Sequence, residues 1–433
     1  MKRDSRGIKN RILLLGRFEN NEMRKMTTIR FLLLTCLMIS SISPESTESN
    51  FMKSLFADIN GRVKEIIDEG REAVDKMNSK IQTFAKSGQI MLDENLPDNN
   101  DISNFFKQSV TGTPFELSMN VFHAFCSANL HETLKERSVP EIPKFKLVLM
   151  TSCKNYSYSL VDAENMWTNR VFDPKKKTVV LVTGWTTNGV QDPTVYSISK
   201  AYMCRGDVNF VALDTANYLD TFYDWAALNT EEIGSYVGKA LSLLKNKVQS
   251  QDIHLIGHSL GAHIVSAAGR TYFSLTDKLV GRITGLDPAQ PCFNEGEQLK
   301  GISRGDGEYV DIIHSNPGIL GKKEAVGDAD FYPNGFDSIP NGCITLACAH
   351  SRAWQYYAES IYPGNEHNFL SAKCSSMKRF KLNKCTEMNV PMGYLDKRQN
   401  VKGNYFLETN DRSPYGLNAT VNTVSDNCGE CLE

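Results

Sequence analysis

The chain has no excess of either charge: 48 Lys and Arg stand against 50 Asp and Glu, for a formal net charge of -2. A footprint for nucleic acid needs cations gathered on one face, and here they are scattered, so no nucleic-acid partner is expected. Beyond the N-terminal leader no segment is a transmembrane candidate, since a helical span takes roughly 20 apolar residues. Internal repeats and low-complexity tracts are lacking too, which sets repeat architectures aside. What remains is a chain of 433 residues, 41% of them apolar. That suits one large α/β domain with an accessory region.

The first 46 residues read as an extension and a signal peptide. A positive stretch, Arg24-Lys25-Met26-Thr27-Thr28-Ile29-Arg30, leads into Phe31-Leu32-Leu33-Leu34-Thr35-Cys36-Leu37-Met38-Ile39 and then a Ser- and Thr-rich stretch. The apolar run is too short to cross a bilayer and has the proportions of a secretory leader. Residues 1–22 read as an addition from an upstream start. Removing Cys36 leaves ten cysteines, an even number that suits a disulfide framework in an oxidising compartment. The sequence does not pair Cys126, Cys153, Cys204, Cys292, Cys428 or Cys431. Asn155-Tyr156-Ser157 and Asn418-Ala419-Thr420 are glycosylation acceptors consistent with secretion.

Residues 47–135 form a helical accessory region by pattern. Met52, Phe56, Ile59, Val63 and Ile66 recur at helical spacing. A polar linker over 86–112 precedes the capping box Thr113-Pro114-Phe115-Glu116, which opens a helix to about residue 130. From residue 145 the texture changes. Apolar strands at 145–150, 178–182, 209–213, 253–256, 283–286 and 310–313 alternate with amphipathic helical stretches. Continuous apolar strands of this kind imply an α/β fold whose mostly parallel sheet is covered on both faces. The main domain is expected over 136–427, with a tail at 428–433.

Chemistry gathers at Gly257-His258-Ser259-Leu260-Gly261, between a buried strand and an Ala-rich helix. The glycines permit a sharp turn that lifts the Ser259 hydroxyl above the sheet edge, at a helix N-terminus able to receive negative charge. A serine hydroxyl needs a base and an orienting carboxylate to act as a nucleophile. Asp287, in Gly285-Leu286-Asp287-Pro288, stands just past a strand end where binding groups collect in such sheets; Asp306 and Asp311 are its rivals. For the base, His314 and His350 both remain open, with His367 a weaker third. His258 and His263 flank the serine too closely and read as braces. The loop Thr183-Gly184-Trp185 after an apolar strand could add an oxyanion N–H, from Trp185, to that of Leu260.

These markers resemble the pancreatic-lipase family, and more closely its insect members related to venom phospholipases A1 and yolk proteins. They are Gly257-His258-Ser259-Leu260-Gly261-Ala262-His263, Arg282-Ile283-Thr284-Gly285-Leu286-Asp287-Pro288-Ala289, Val310-Asp311-Ile312-Ile313-His314, Asp330-Phe331-Tyr332-Pro333-Asn334-Gly335 and Cys348-Ala349-His350-Ser351-Arg352. The resemblance implies an α/β-hydrolase fold and a Ser259–Asp287–His350 triad, deciding for His350 over His314. It also implies a lid disulfide, Cys343–Cys348, and a second disulfide, Cys374–Cys385. Where the family's oxyanion loop reads His-Gly-Phe, this chain has Thr183-Gly184-Trp185, which keeps the Trp185 N–H and loses a histidine side chain.

Only Ile344-Thr345-Leu346-Ala347 lie between the lid cysteines. Such a short lid implies an open site, as in phospholipases A1, whose substrate is a phospholipid in a membrane. A triacylglycerol or galactolipid lipase, with a neutral lipid at a lipid-particle surface, and a non-catalytic yolk-type carrier are the alternatives. The family's calcium-binding carboxylates are mostly unmatched, so neither metal nor cofactor is expected. A C-terminal colipase-type domain is not expected either.

Overall fold

The computed structural model describes residues 141–185, 189–215, 223–293, 299–394, 401–419 and 427–431. All of them belong to one of the two units into which the chain divides, Pro97–Glu433. The extension, the signal peptide and the helical region expected over 47–135 lie outside the described residues, as does Cys126.

Among the described residues, eleven strands form one sheet. In chain order they are β1 (Lys146–Met150), β2 (Asn155–Ser159), β3 (Lys177–Val182), β4 (Val208–Asp214), β5 (Ile253–His258), β6 (Arg282–Leu286), β7 (Val310–Ile313), β8 (Ala329–Pro333), β9 (Leu370–Lys373), β10 (Glu387–Pro391) and β11 (Gly403–Leu407). The helices are α1 (Glu164–Trp167), α2 (Pro193–Arg205), α3 (Tyr223–Leu228), α4 (Thr230–Ser242), α5 (Leu260–Thr276), α6 (Leu346–Ile361) and α7 (Met377–Lys381). The spatial order is β10-β9-β11-β8-β7-β6-β5-β3-β4-β1-β2. From β4 through β3, β5, β6, β7 and β8 to β11 every pairing is parallel. The edges are antiparallel: β1 and β2 on one side, β9 and β10 on the other.

The central strands are buried on both faces, so their apolar residues are consecutive rather than alternating. Val180 and Val182 of β3 join one core with Ile233 and Val237 of α4 and Ile264 of α5. Val179 and Leu181 join the other with Ile198 and Tyr202 of α2 and Tyr356 and Tyr357 of α6. Each such side chain, fully buried, contributes about 1.5–3 kcal/mol, and the alternation along one strand ties both helical layers to it. The first layer supports α5, which follows directly on Ser259. The second supports α6, which carries His350.

Two disulfides close long loops onto this frame. Cys153, in the β1–β2 turn, bonds Cys431, and Cys204 of α2 bonds Cys428. Lys200 of α2 also pairs with Glu430 at 2.5 Å. Residues 427–431 are thereby fastened to the sheet's β1 side. Cys343–Cys348 and Cys374–Cys385 are bonded as well, and Cys292 is disulfide-bonded.

Candidate active site

The turn from β5 into α5 holds Ser259 at φ 57°, ψ -124°, a conformation that costs a non-glycine residue on the order of 1–3 kcal/mol. Its surroundings hold it there. The Ser259 N–H donates to Leu286 O at 3.1 Å, and its carbonyl accepts from Ala262 and Ala289 N–H. The flanking glycines are required by close approach. A Cβ on Gly257 would lie 2.3 Å from Gly261 O, and one on Gly261 would lie 2.1 Å from Val182 O. The strand end, the helix start and the end of β3 therefore pack backbone to backbone.

The pairing of β5 with β6 sets the next residue. His258 is in register with Leu286, so Ser259 and Asp287 leave adjacent strand ends on the same edge. Asp287 is fully buried and its carboxylate accepts three hydrogen bonds. Oδ1 accepts from the N–H groups of Ser315 (2.8 Å) and Asn316 (3.0 Å), and Oδ2 accepts from His350 Nδ1 at 2.6 Å. With Nδ1 committed to the carboxylate, the neutral His350 ring carries its free lone pair on Nε2.

His350 lies in the first turns of α6, whose start is fixed by the short disulfide segment. Thr345 caps the helix, its hydroxyl accepting from Cys348 N–H, while Leu346 and Ala347 are already helical. The residues between Cys343 and Cys348 thus form a helix start, and the disulfide anchors the His350 helix rather than a flap. The His350 carbonyl accepts from His258 Nε2 at 3.2 Å and from Ser315 Oγ at 3.3 Å. The rings of His258 and His350 lie 4.7 Å apart between centroids. Burial, and next the neighbouring His350, push the His258 pKa down to about 3. His258 therefore stays neutral beside the His350 ring.

The loop leaving β3 lies against the serine. A Cβ on Gly184 would come within 2.4 Å of Ser259 Cβ, and Trp185 packs on the first core. Leu260 is the first residue of α5, where backbone N–H groups have no partner within the helix. The arrangement can hold a hydroxyl, an oriented imidazole and N–H groups at one sheet edge.

The rival residues are engaged elsewhere. His314 is fully buried, its Nδ1 bonded to Lys322 O and its Nε2 to Asp330, so both nitrogens are used by acceptors. His367 is exposed in the loop before β9. Asp306 binds Ser266, Arg270 and Ser303, while Asp311 takes a two-point contact from Arg282. His263 braces the elbow, donating from Nε2 to Ala289 O and accepting at Nδ1 from Ile302 N–H. Among the described residues, no group of His, Cys, Asp and Glu side chains is placed to hold a metal. Ser315 and Asn316 escaped the sequence reading, because a backbone N–H carries no mark of residue type.

A family model described as Lipase matches residues 123–415. The chain belongs to the lipase family. Within the lipase family it is 32% identical over 310 residues to pancreatic lipase-related protein 2 of Myocastor coypus, covering 63% of this chain and 64% of that protein. It is 30% identical over 308 residues to pancreatic triacylglycerol lipase of Sus scrofa, covering 63% of this chain and 66% of that one. It is also 37% identical over 218 residues to vitellogenin-3 of Drosophila melanogaster, covering 50% of this chain and 51% of that protein. The chain thus spans about half to two thirds of the length of these relatives. A solved dienelactone hydrolase-like promiscuous phosphotriesterase from metagenomic libraries resembles it at 14% identity and a TM-score of 0.28, over 50% of this chain and 95% of that one. The mostly parallel sheet covered by helices is the α/β architecture expected of a member of this family.

Proposed function

We propose that this protein is a secreted serine hydrolase of lipid acyl esters that acts as a phospholipase A1. The observation that carries the reading is the 2.6 Å bond from His350 to Asp287, at the sheet edge where Ser259 is held at positive φ. Ser259 Oγ attacks the ester carbonyl as His350 Nε2 takes its proton. The oxyanion is received by the N–H groups of Leu260 and Trp185. His350 then returns the proton to the departing alcohol, leaving an acyl group on Ser259. Water, deprotonated by the same imidazole, releases the fatty acid and restores the hydroxyl.

The phospholipase preference is supported by the short Cys343–Cys348 segment, which caps a helix instead of covering the site. Substrate is expected at a membrane or lipid-particle surface. The exposed Asn155 and Asn418 and the disulfides suit secretion. Purified protein acting on phosphatidylcholine labelled at sn-1 or sn-2 is the test. Release of the sn-1 chain alone is expected, and preference for triolein would favour the triacylglycerol lipase reading.

The likeness to vitellogenin-3 favours a second reading, a lipid carrier on the same fold. A histidine oriented by a buried carboxylate at the sheet edge that holds the serine argues for the enzyme, since a carrier has no use for a proton relay. Stoichiometric lipid binding without turnover would favour the carrier.

A further inference from the structure

We propose that the Cys374–Cys385 loop and the segment before α6 form a docking face for membranes rich in anionic phospholipid; this rests on the reading of the site as one for lipid esters. Charge is the first observation. In a chain of net charge -2, the loop Cys374-Ser375-Ser376-Met377-Lys378-Arg379-Phe380-Lys381-Leu382-Asn383-Lys384-Cys385 carries four cations and no acid. The disulfide keeps it short, and Ser376 caps α7 within it. Lys378, Arg379, Lys381 and Lys384 are all exposed.

Location is the second observation. β8 runs parallel to β7, β6 and β5, so the segment leaving β8 emerges from the edge that holds Asp287 and Ser259. That segment meets α7 directly, because a Cβ on Gly335 would lie 2.9 Å from Met377. Lys381 reaches Glu408, just past β11, at the same edge. Met377 and Phe380 pack under α7 on Tyr332 and Phe406, which fixes the helix in place and directs its cations outward.

The third observation decides between polyanions. Phe336, Ile339, Ile344 and Leu382 are exposed in these two segments, Ile344 at 71%. Lys323 Nζ lies 5.5 Å from the Phe336 ring. A sulfated polysaccharide would use the cations and leave the apolar side chains in water. A bilayer surface uses both, the cations at phosphate level and the apolar groups at the acyl boundary. Asp337 and Glu408 offset part of the charge, and the balance on the face stays positive.

The test is co-sedimentation of full-length, secreted Ser259→Ala protein with vesicles of phosphatidylcholine alone or with 30 mol% (about one lipid in three) phosphatidylserine. Binding is expected to be at least about tenfold tighter with phosphatidylserine and to weaken as salt is raised. Replacing Lys378, Arg379, Lys381 and Lys384 with Gln should erase that difference, and Ile344→Ser should weaken binding to both vesicles. Near-UV circular dichroism and the melting temperature establish that each variant is folded. Equal binding by the Gln variant, or retention on a heparin column with no vesicle binding, overturns the proposal. Turnover of a soluble short-chain ester by the wild-type protein tests the esterase reading separately, since the vesicle assay requires no catalysis.

Discussion

Gly321 lies against the carboxylate of Asp287 so closely that a Cβ there would stand 2.3 Å from Oδ1. The same carboxylate holds His350, so Gly321 positions the His350 ring through Asp287. Gly321→Ala should displace Asp287 and with it the imidazole. A misplacement of about 1 Å costs on the order of a hundredfold in rate. We expect kcat on a soluble ester to fall by at least about tenfold, with KM changed far less and the melting temperature little lowered. An unchanged kcat would show that the Asp287–His350 contact does not govern turnover.

His258 makes a second, independent prediction. Its Nε2–H holds the His350 carbonyl, and its ring packs on the His350 ring. His258→Phe keeps the packing volume and loses the hydrogen bond, worth about 0.5–1.5 kcal/mol net. The expected result is a kcat lowered about threefold to tenfold, with recovery in His258→Gln if the amide nitrogen reaches the same carbonyl. Full activity in His258→Phe with loss in His258→Gln would assign the effect to ring packing alone.

Acid should destabilise the protein through its buried histidines. Burial is the largest cause that brings His258 and His263 down to about 3, against 6.5 for a free imidazole. Below pH 6.5 the unfolded chain takes up protons at these positions and the folded chain does not. Their contribution is therefore present above 6.5 and lost as the pH falls toward 3. Each costs about 1.4 kcal/mol per pH unit through that window. Denaturant unfolding at pH 7, 6 and 5 measures the slope, and His263→Gln should remove about one proton's share of it. A slope unaffected by that change would mean His263 is already protonated when folded.

Strands β3 to β7 of the parallel core were legible because burial on both faces writes consecutive apolar residues. β8 and β11, whose residues Ala329-Asp330-Phe331-Tyr332-Pro333 and Gly403-Asn404-Tyr405-Phe406-Leu407 mix in polar positions, were not. Stretches expected at 283–286 and 310–313 are β6 (Arg282–Leu286) and β7 (Val310–Ile313). Among the edge strands β1 was legible at 145–150, and the outermost two were not. β2 alternates Asn155, Tyr156, Ser157, Tyr158 and Ser159 at half-burial, and β10 is mostly exposed, so neither shows an apolar run. Around the serine, glycine spacing exposed the elbow, while the choice between His314 and His350 depended on contacts no spacing reveals. Lys322 O and Asp330 occupy both nitrogens of His314 from segments distant in the pattern.

The tail disulfides carry a prediction about stability. Cys153–Cys431 and Cys204–Cys428 close loops of 278 and 224 residues. Bonds over loops of this length contribute about 2–5 kcal/mol each by restricting the unfolded chain, less where two restrict the same chain. Cys204→Ala with Cys428→Ala should lower the unfolding free energy by about 2–5 kcal/mol. Turnover per folded molecule should persist, because the bond is anchored on α2 rather than at the Ser259 edge. Loss of turnover in fully folded protein would connect the tail to the site.

The most direct test of the account is covalent. A fluorophosphonate reports a hydroxyl made nucleophilic by a neighbouring base. Incubation of the purified protein, followed by intact-mass measurement and peptide mapping, should show one phosphonyl group on Ser259. It should be absent in Ser259→Ala and slowed at least about a hundredfold in His350→Ala. A folded wild-type protein that takes up no label, or takes it up on another residue, would contradict the account.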